Sequence, residues 1–100
     1  MNKTVTFGEA ATALSGGKRV AREGWNGKGL FVFKQVPAEI TPDIIPKMQS
    51  LPESVKHEFE RRGGPIRYVD QLALVQPNNT ISGWSPSTPD ALASDWVILD

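Results

Sequence analysis

Trp25 stands in the run Gly24-Trp25-Asn26-Gly27-Lys28-Gly29, and Trp84 in Gly83-Trp84-Ser85-Pro86-Ser87. Each places a flat apolar face beside compact hydrogen-bonding groups, at a point where a strand is expected to end. That combination suits a planar, polar small molecule such as a nucleotide base with its ribose. Arg22 and Lys28 flank the first tryptophan, and either could meet a pyrophosphate through a charge-assisted bond. Ser87 is expected to cap a short helix that includes Asp90, and a helix N-terminus is also a natural place for a phosphate. Each feature has a plainer reading. Trp25 and Trp84 could be core residues with their indole N–H bonded to backbone. Asn26 could be a left-handed turn residue, and Lys18, Arg19 and Arg22 could form a solvated edge. Trp96, inside the last strand, reads as core.

Catalytic chemistry is thin. His57 is the one histidine and falls mid-helix among Lys56, Glu58 and Glu60. A hydrolytic triad needs a base beside a nucleophile, and a zinc site needs ligands that the chain does not offer. Cysteine is absent, which excludes disulfides, thiolate metal sites and a cysteine nucleophile. Gly27-Lys28-Gly29 lacks the spacing of a phosphate-binding loop. Asp90 and Asp95 could support acid–base work but read more simply as a helix N-terminal acid and a loop cap. Neither a metal nor a cofactor is expected.

The elements that must position these residues follow from periodicity and capping. Thr6-Phe7-Gly8-Glu9 reads as a capping box that starts a helix ended by Ser15-Gly16-Gly17, with Phe7, Ala11 and Leu14 on its buried face. Lys18 to Arg22 and Leu30 to Val36 read as strands. In the second, Leu30, Val32 and Val36 point one way and Phe31 and Phe33 the other, so both faces are expected to be covered, one by a helix and the other by a second subunit. Pro37 to Met48 is broken by prolines and holds one helical turn near Asp43-Ile44-Ile45. Ser50-Leu51-Pro52-Glu53 reads as a second capping box, for a helix running to Arg62. Ile66 to Gln76 reads as the longest strand, turned by Pro77-Asn78-Asn79 into Thr80 to Trp84. A short helix, Asp90 to Ala93, and a strand, Asp95 to Leu99, close the chain. The order predicts a single α+β domain over residues 1–100: a small antiparallel sheet with helices packed on it.

Composition narrows the partners. The chain has 100 residues, 39% hydrophobic and 22% charged, as expected of one globular domain. Eleven basic and eleven acidic side chains balance. Zero net charge argues against a nucleic acid polymer, which draws on many uncompensated cations. The N-terminal run lacks the apolar stretch of a signal peptide, and Leu30-Phe31-Val32-Phe33 is too short to span a bilayer. A cytoplasmic protein without a membrane partner is expected.

Four blocks together carry a resemblance: Thr6 to Ala10, Gly17 to Gly29, Gly83 to Ser87, and Asp90 to Trp96. They resemble the Thoeris anti-defence protein 2 family of phages and prophages over nearly the whole chain. The resemblance implies a sponge that binds a cyclic ADP-ribose-type immune signal without cleaving it, in the cytoplasm of a bacterial host, so that Thoeris anti-phage immunity is not activated. It also implies a small α+β protomer assembling as a homotetramer with pockets where protomers meet. The positions it carries to the pocket are the Trp25-Asn26 turn, the Trp84 to Asp90 loop with Ser87, and Phe31. Residues 37–65 are an added proline-rich and helical insertion relative to the shortest members. Three alternatives stand beside the sponge. One is sequestration of cyclic dinucleotides or related signals. Another is an enzyme that uses Asp90 or Asp95 as base. The last is a structural or protein-binding phage protein with no nucleotide ligand.

Overall fold

The Thr6 side chain accepts the Glu9 backbone N–H while the Glu9 carboxylate accepts the Thr6 N–H, and helix α1, Phe7–Ser15, starts there as the capping box predicts. The computed structural model describes residues 3–25 and 29–100. Ala10 and Leu14 are the buried residues of α1, with Phe7 and Ala13 packed beside them. The buried stripe is thus centred one position away from Ala11, where the sequence placed it.

Five strands form one antiparallel sheet: β1 Val20–Arg22, β2 Phe31–Gln35, β5 Gln71–Val75, β6 Ile81–Gly83 and β7 Trp96–Ile98, in the order β6-β5-β2-β1-β7. The register pairs Val20 with Val32, Val32 with Leu74, and Arg22 with Trp96. Directly opposed residues share a face, so these side chains all lie on one side of the sheet. Helix α1 packs there, and Ala10, Leu14, Val20, Val32 and Trp96 make the core, at most 2% exposed. Phe31 and Phe33 alternate onto the opposite face and are half-buried. Val36 lies beyond the end of β2 and is exposed. The hairpin from β5 to β6 forms as predicted, with Asn79 in the left-handed region at φ 68. The α+β fold with an antiparallel sheet is the observed one.

The chain divides into two compact units, Met1–Gln35 with Gln71–Asp100, and Val36–Asp70. The second unit contains the 37–65 stretch and is built from a two-stranded ribbon, β3 Ala38–Ile40 with β4 Ile66–Tyr68, a tight 3-10 turn at Ile45–Lys47, and helix α2, Glu53–Arg62. Three expectations fail here. The second capping box does not form: the N-cap is Pro52, with no side-chain cap bond. The reason is steric, since the residue before a proline is driven out of the helical region, and Leu51 cannot begin a turn. The long strand predicted for Ile66 to Gln76 is two strands, because Ile66–Tyr68 pair with β3 whereas Gln71–Val75 pair with β2. Strand β3 has no counterpart among the expected elements, its three residues lying between Pro37 and Pro42. The helical turn sits slightly later than Asp43-Ile44-Ile45 and takes Pro46 inside it, at a position where its missing N–H costs nothing. No helix among the described residues is long and apolar enough to cross a membrane.

Candidate functional site

Helix α3, Thr88–Leu92, is a single short turn held by a second complete capping box: the Ser87 hydroxyl accepts the Asp90 N–H and the Asp90 carboxylate accepts the Ser87 N–H, each at 3.2 Å. Ser87 therefore caps the helix as predicted. The Trp96 indole N–H donates to the Asp90 carbonyl at 2.9 Å, fixing the end of α3 over the start of β7.

Arg22, the last residue of β1, reaches across to this corner. Its Nε donates to Asp95 Oδ1 at 2.8 Å, and a terminal nitrogen donates to Asp90 Oδ1 at 2.9 Å. The other Asp95 oxygen accepts the Gly24 N–H at 2.9 Å, and the Asp95 carbonyl accepts the Glu23 N–H at 3.0 Å. One guanidinium thus joins the turn that carries Trp25, the cap of α3 and the segment entering β7. The three side chains are partly buried, with 15% to 31% of their surface exposed. The bonds move the charges in consistent directions. Arg22 donation, aided by the Gly24 N–H, holds Asp95 below the ordinary carboxylate range against a smaller opposing effect of burial. For Asp90 burial is the largest single influence and pushes upward. Bonds from Arg22, Ser87 and the Trp25 indole together outweigh it, and the group titrates low. The two carboxylates raise Arg22 in turn, Asp95 first.

The result is an aromatic corner. Trp96, fully buried, sits with its ring centroid 5.4 Å from Trp25, 6.0 Å from Trp84 and 5.3 Å from Phe7. Trp25 and Trp84 stand 6.5 Å apart at an interplanar angle of 72°. Between them opens a cleft of about 230 Å³ lined by Trp25, Leu30, Leu74, Trp84 and Asp90. Two indoles set edge to face, two leucines and one carboxylate offer an open, largely apolar recess against which an aromatic ring could lie.

Of the residues predicted for the site, Trp25, Trp84 and Asp90 line this cleft, and Arg22 and Ser87 stand one hydrogen bond behind it. Phe31 is not brought to it. It lies on the other face of β2, opposite Val75, with the Arg19 guanidinium 5.1 Å from its ring centroid. Asn26 and Lys28 fall outside the described residues. Leu30 and Leu74, read only as strand residues, form the cleft wall. Asp95 was read as a loop cap. Its acceptance of Gly24 N–H agrees with that, whereas its pairing with Arg22 had no local signal. His57 lies on α2 and lines a separate hollow of about 460 Å³ with Ile45, Lys56 and Phe59, within the 36–70 unit. Among the described residues no group of three or more His, Cys, Asp or Glu could hold a metal ion.

The Thoeris anti-defense 2-like domain model matches residues 5–99. The chain belongs to that family. The match takes in both compact units and every residue of the aromatic corner. The chain is also similar to a protein named Thoeris anti-defense 2 from Bacillus phage SP01, at 29% identity over 99 residues, which covers 99% of each chain. The relationship therefore runs end to end and is not confined to the tryptophan blocks.

Proposed function

We propose that this protein acts against Thoeris immunity by binding a cyclic ADP-ribose-type nucleotide signal and holding it intact in the cytoplasm of the bacterial host. The observation that carries this reading is the Trp25–Trp84 cleft: an aromatic recess whose described lining residues include no nucleophile–base pair, in a chain of the Thoeris anti-defense 2-like family. Binding without turnover fits the residues at the slot. Asp90 is ion-paired to Arg22 and is held ionised by its donors, so it lacks the raised pKa of a general acid.

The cleft is smaller than the ~300 Å³ at which pockets for drug-sized ligands begin. It takes one ring system, and the remainder of the ligand must lie against further surface. A second copy of the chain, in the homotetramer that the family resemblance implies, supplies such surface. Stacking on an aromatic side chain contributes about 1–3 kcal/mol per base, and enclosure slows release.

The test is bind-and-release. Purified protein is mixed with a cyclic ADP-ribose signal, free ligand is removed, the protein is heat-denatured, and the supernatant is analysed by mass spectrometry. Intact ligand recovered in proportion to protein is the expected result. A hydrolysed product would make the protein an enzyme, and an empty supernatant would overturn the choice of ligand.

A further inference from the structure

Arg22 was the natural candidate to meet a phosphate, yet its charge is already met by two carboxylates, Asp90 at 2.9 Å and Asp95 at 2.8 Å. The one charged side chain among the described residues that line the cleft is Asp90. Its oxygens accept from Arg22 and from the Ser87 N–H. Among the described lining residues, an anionic group entering the slot would meet one carboxylate and apolar side chains. A flat uncharged ring would meet two indoles and two leucines.

The same bonds fix the slot's shape. Trp25 follows directly on Gly24, whose N–H is held by Asp95, and the Trp25 N–H donates to the Arg22 carbonyl at 3.2 Å. Trp84 is set from the other side by its own N–H to the Leu72 carbonyl at 3.0 Å. One wall of the slot thus hangs on the ion pairs and the other on the sheet. Gly24 shows how tight the first wall is: a Cβ placed there would lie 2.9 Å from Asp95 Oδ2, closer than real Cβ contacts come.

Building on the ligand-binding reading above, we propose that the Arg22–Asp90–Asp95 clamp sets the Trp25 wall of the cleft, making Arg22 and Asp95 positioning residues, and that the cleft selects an uncharged planar ring, leaving the phosphates of the ligand outside it. The ring of a nucleobase is the chemical class that fits. Arg22 acts through the carboxylates and touches no ligand.

The experiment uses the full chain, with adenosine as the ring probe and inorganic pyrophosphate as the anion probe. Binding is followed by tryptophan fluorescence, and folding by circular dichroism and thermal melting. Asp95→Asn removes the charge of one partner. Gly24→Ala displaces the Asp95 carboxylate and changes no charge. In both folded variants the tryptophan emission shifts to the red and the Kd for adenosine rises at least tenfold, while excess pyrophosphate does not displace adenosine from the wild type. A purely structural role would lower the melting temperature but leave emission and Kd of the folded protein unchanged, and that result overturns the clamp. If Asp95→Asn does not fold, Arg22→Lys, which keeps the charge and loses the planar fork, is read in the same way. Displacement of adenosine by pyrophosphate overturns the selectivity for a neutral ring. If cyclic ADP-ribose binds and adenosine does not, ring selectivity falls while the proposed function stands. If neither binds, both fall, and emission alone decides the clamp.

Discussion

Arg22 and Glu58 each pair with two residues of opposite charge, and the two clusters behave differently. Glu58 meets Arg61 and Arg62 along helix α2, three and four residues away, with all three side chains 40% to 71% exposed. Arg22 meets Asp90 and Asp95 from 68 and 73 residues away, on side chains that are mostly buried. The Glu58 cluster supports only the helix it belongs to, and water screens it. The Arg22 cluster ties the end of β1 to one distant stretch, Asp90 to Asp95, so removing one member leaves a partly buried charge without its partner. The surroundings differ as well. The unit that holds Arg22 is centred on a fully buried tryptophan, whereas α2 buries no residue completely. Charge pairs of similar chemistry thus specify tertiary structure in one unit and local helix in the other.

The largest disturbance to that contrast is Trp96→Ala. It empties the centre of the aromatic corner and costs about 3–5 kcal/mol, a large share of the ~5–15 kcal/mol that holds a typical domain. Thermal unfolding should show a steep drop in melting temperature or no folded protein. Next comes Trp25→Ala, on a half-buried residue: the fold should persist by circular dichroism, and under the proposed function the ligand should lose about 1–3 kcal/mol of stacking, so that Kd measured by calorimetry weakens about fivefold to 150-fold. Acid comes third. Asp90 and Asp95 titrate lower in the folded chain than in the unfolded one, so each stabilises the fold above the ordinary aspartate pKa of about 3.9, and that contribution is lost as pH falls through their depressed values. Melting temperature should therefore fall steeply below about pH 4, and Asp95→Asn should flatten the slope. The smallest effect is expected for Glu58→Gln. Its two arginines are exposed, and the melting temperature should stay within experimental error of the wild type in moderate salt.

Legibility in the sequence followed the range of the interaction. Thr6 with Glu9, and Ser87 with Asp90, are separated by one helical turn: the first box forms as expected, and Ser87, expected as a cap, forms a second box with Asp90 on a helix that starts two residues before the expected Asp90. Ser50 with Glu53 carries the same pattern and fails, because Pro52 between them decides where a helix can start. Trp96 as core followed from its place in a strand. The meeting of Trp25 with Trp84, and of Arg22 with its two carboxylates, depends on strand order, which no local pattern encodes. Phe31 is kept out of the Trp25–Trp84 cleft by strand alternation. The alternation that separates it from Leu30 and Val32 was already visible, and a cleft on the Leu30 face excludes its neighbour. The division of Ile66 to Gln76 had no such signal, since the residues suit a strand throughout and only the change of partner ends it.

Gln35 and Gln71 are cross-strand partners in β2 and β5, and their side-chain amides bond at 2.8 Å. The whole of Val36–Asp70 is therefore a detour that leaves and re-enters the sheet at adjacent positions. For loop engineering the consequence is direct. A connection of about four residues could join the same two strands as an ordinary hairpin. By loop-closure entropy, an unstructured stretch of the natural length would cost about 2 kcal/mol more to close than that short turn. By this topology the 36–70 unit could be exchanged without reordering the strands of the five-stranded sheet. A chimera in which a tight turn replaces it should keep the five-stranded sheet, and length variation among related chains should concentrate at this one doorway.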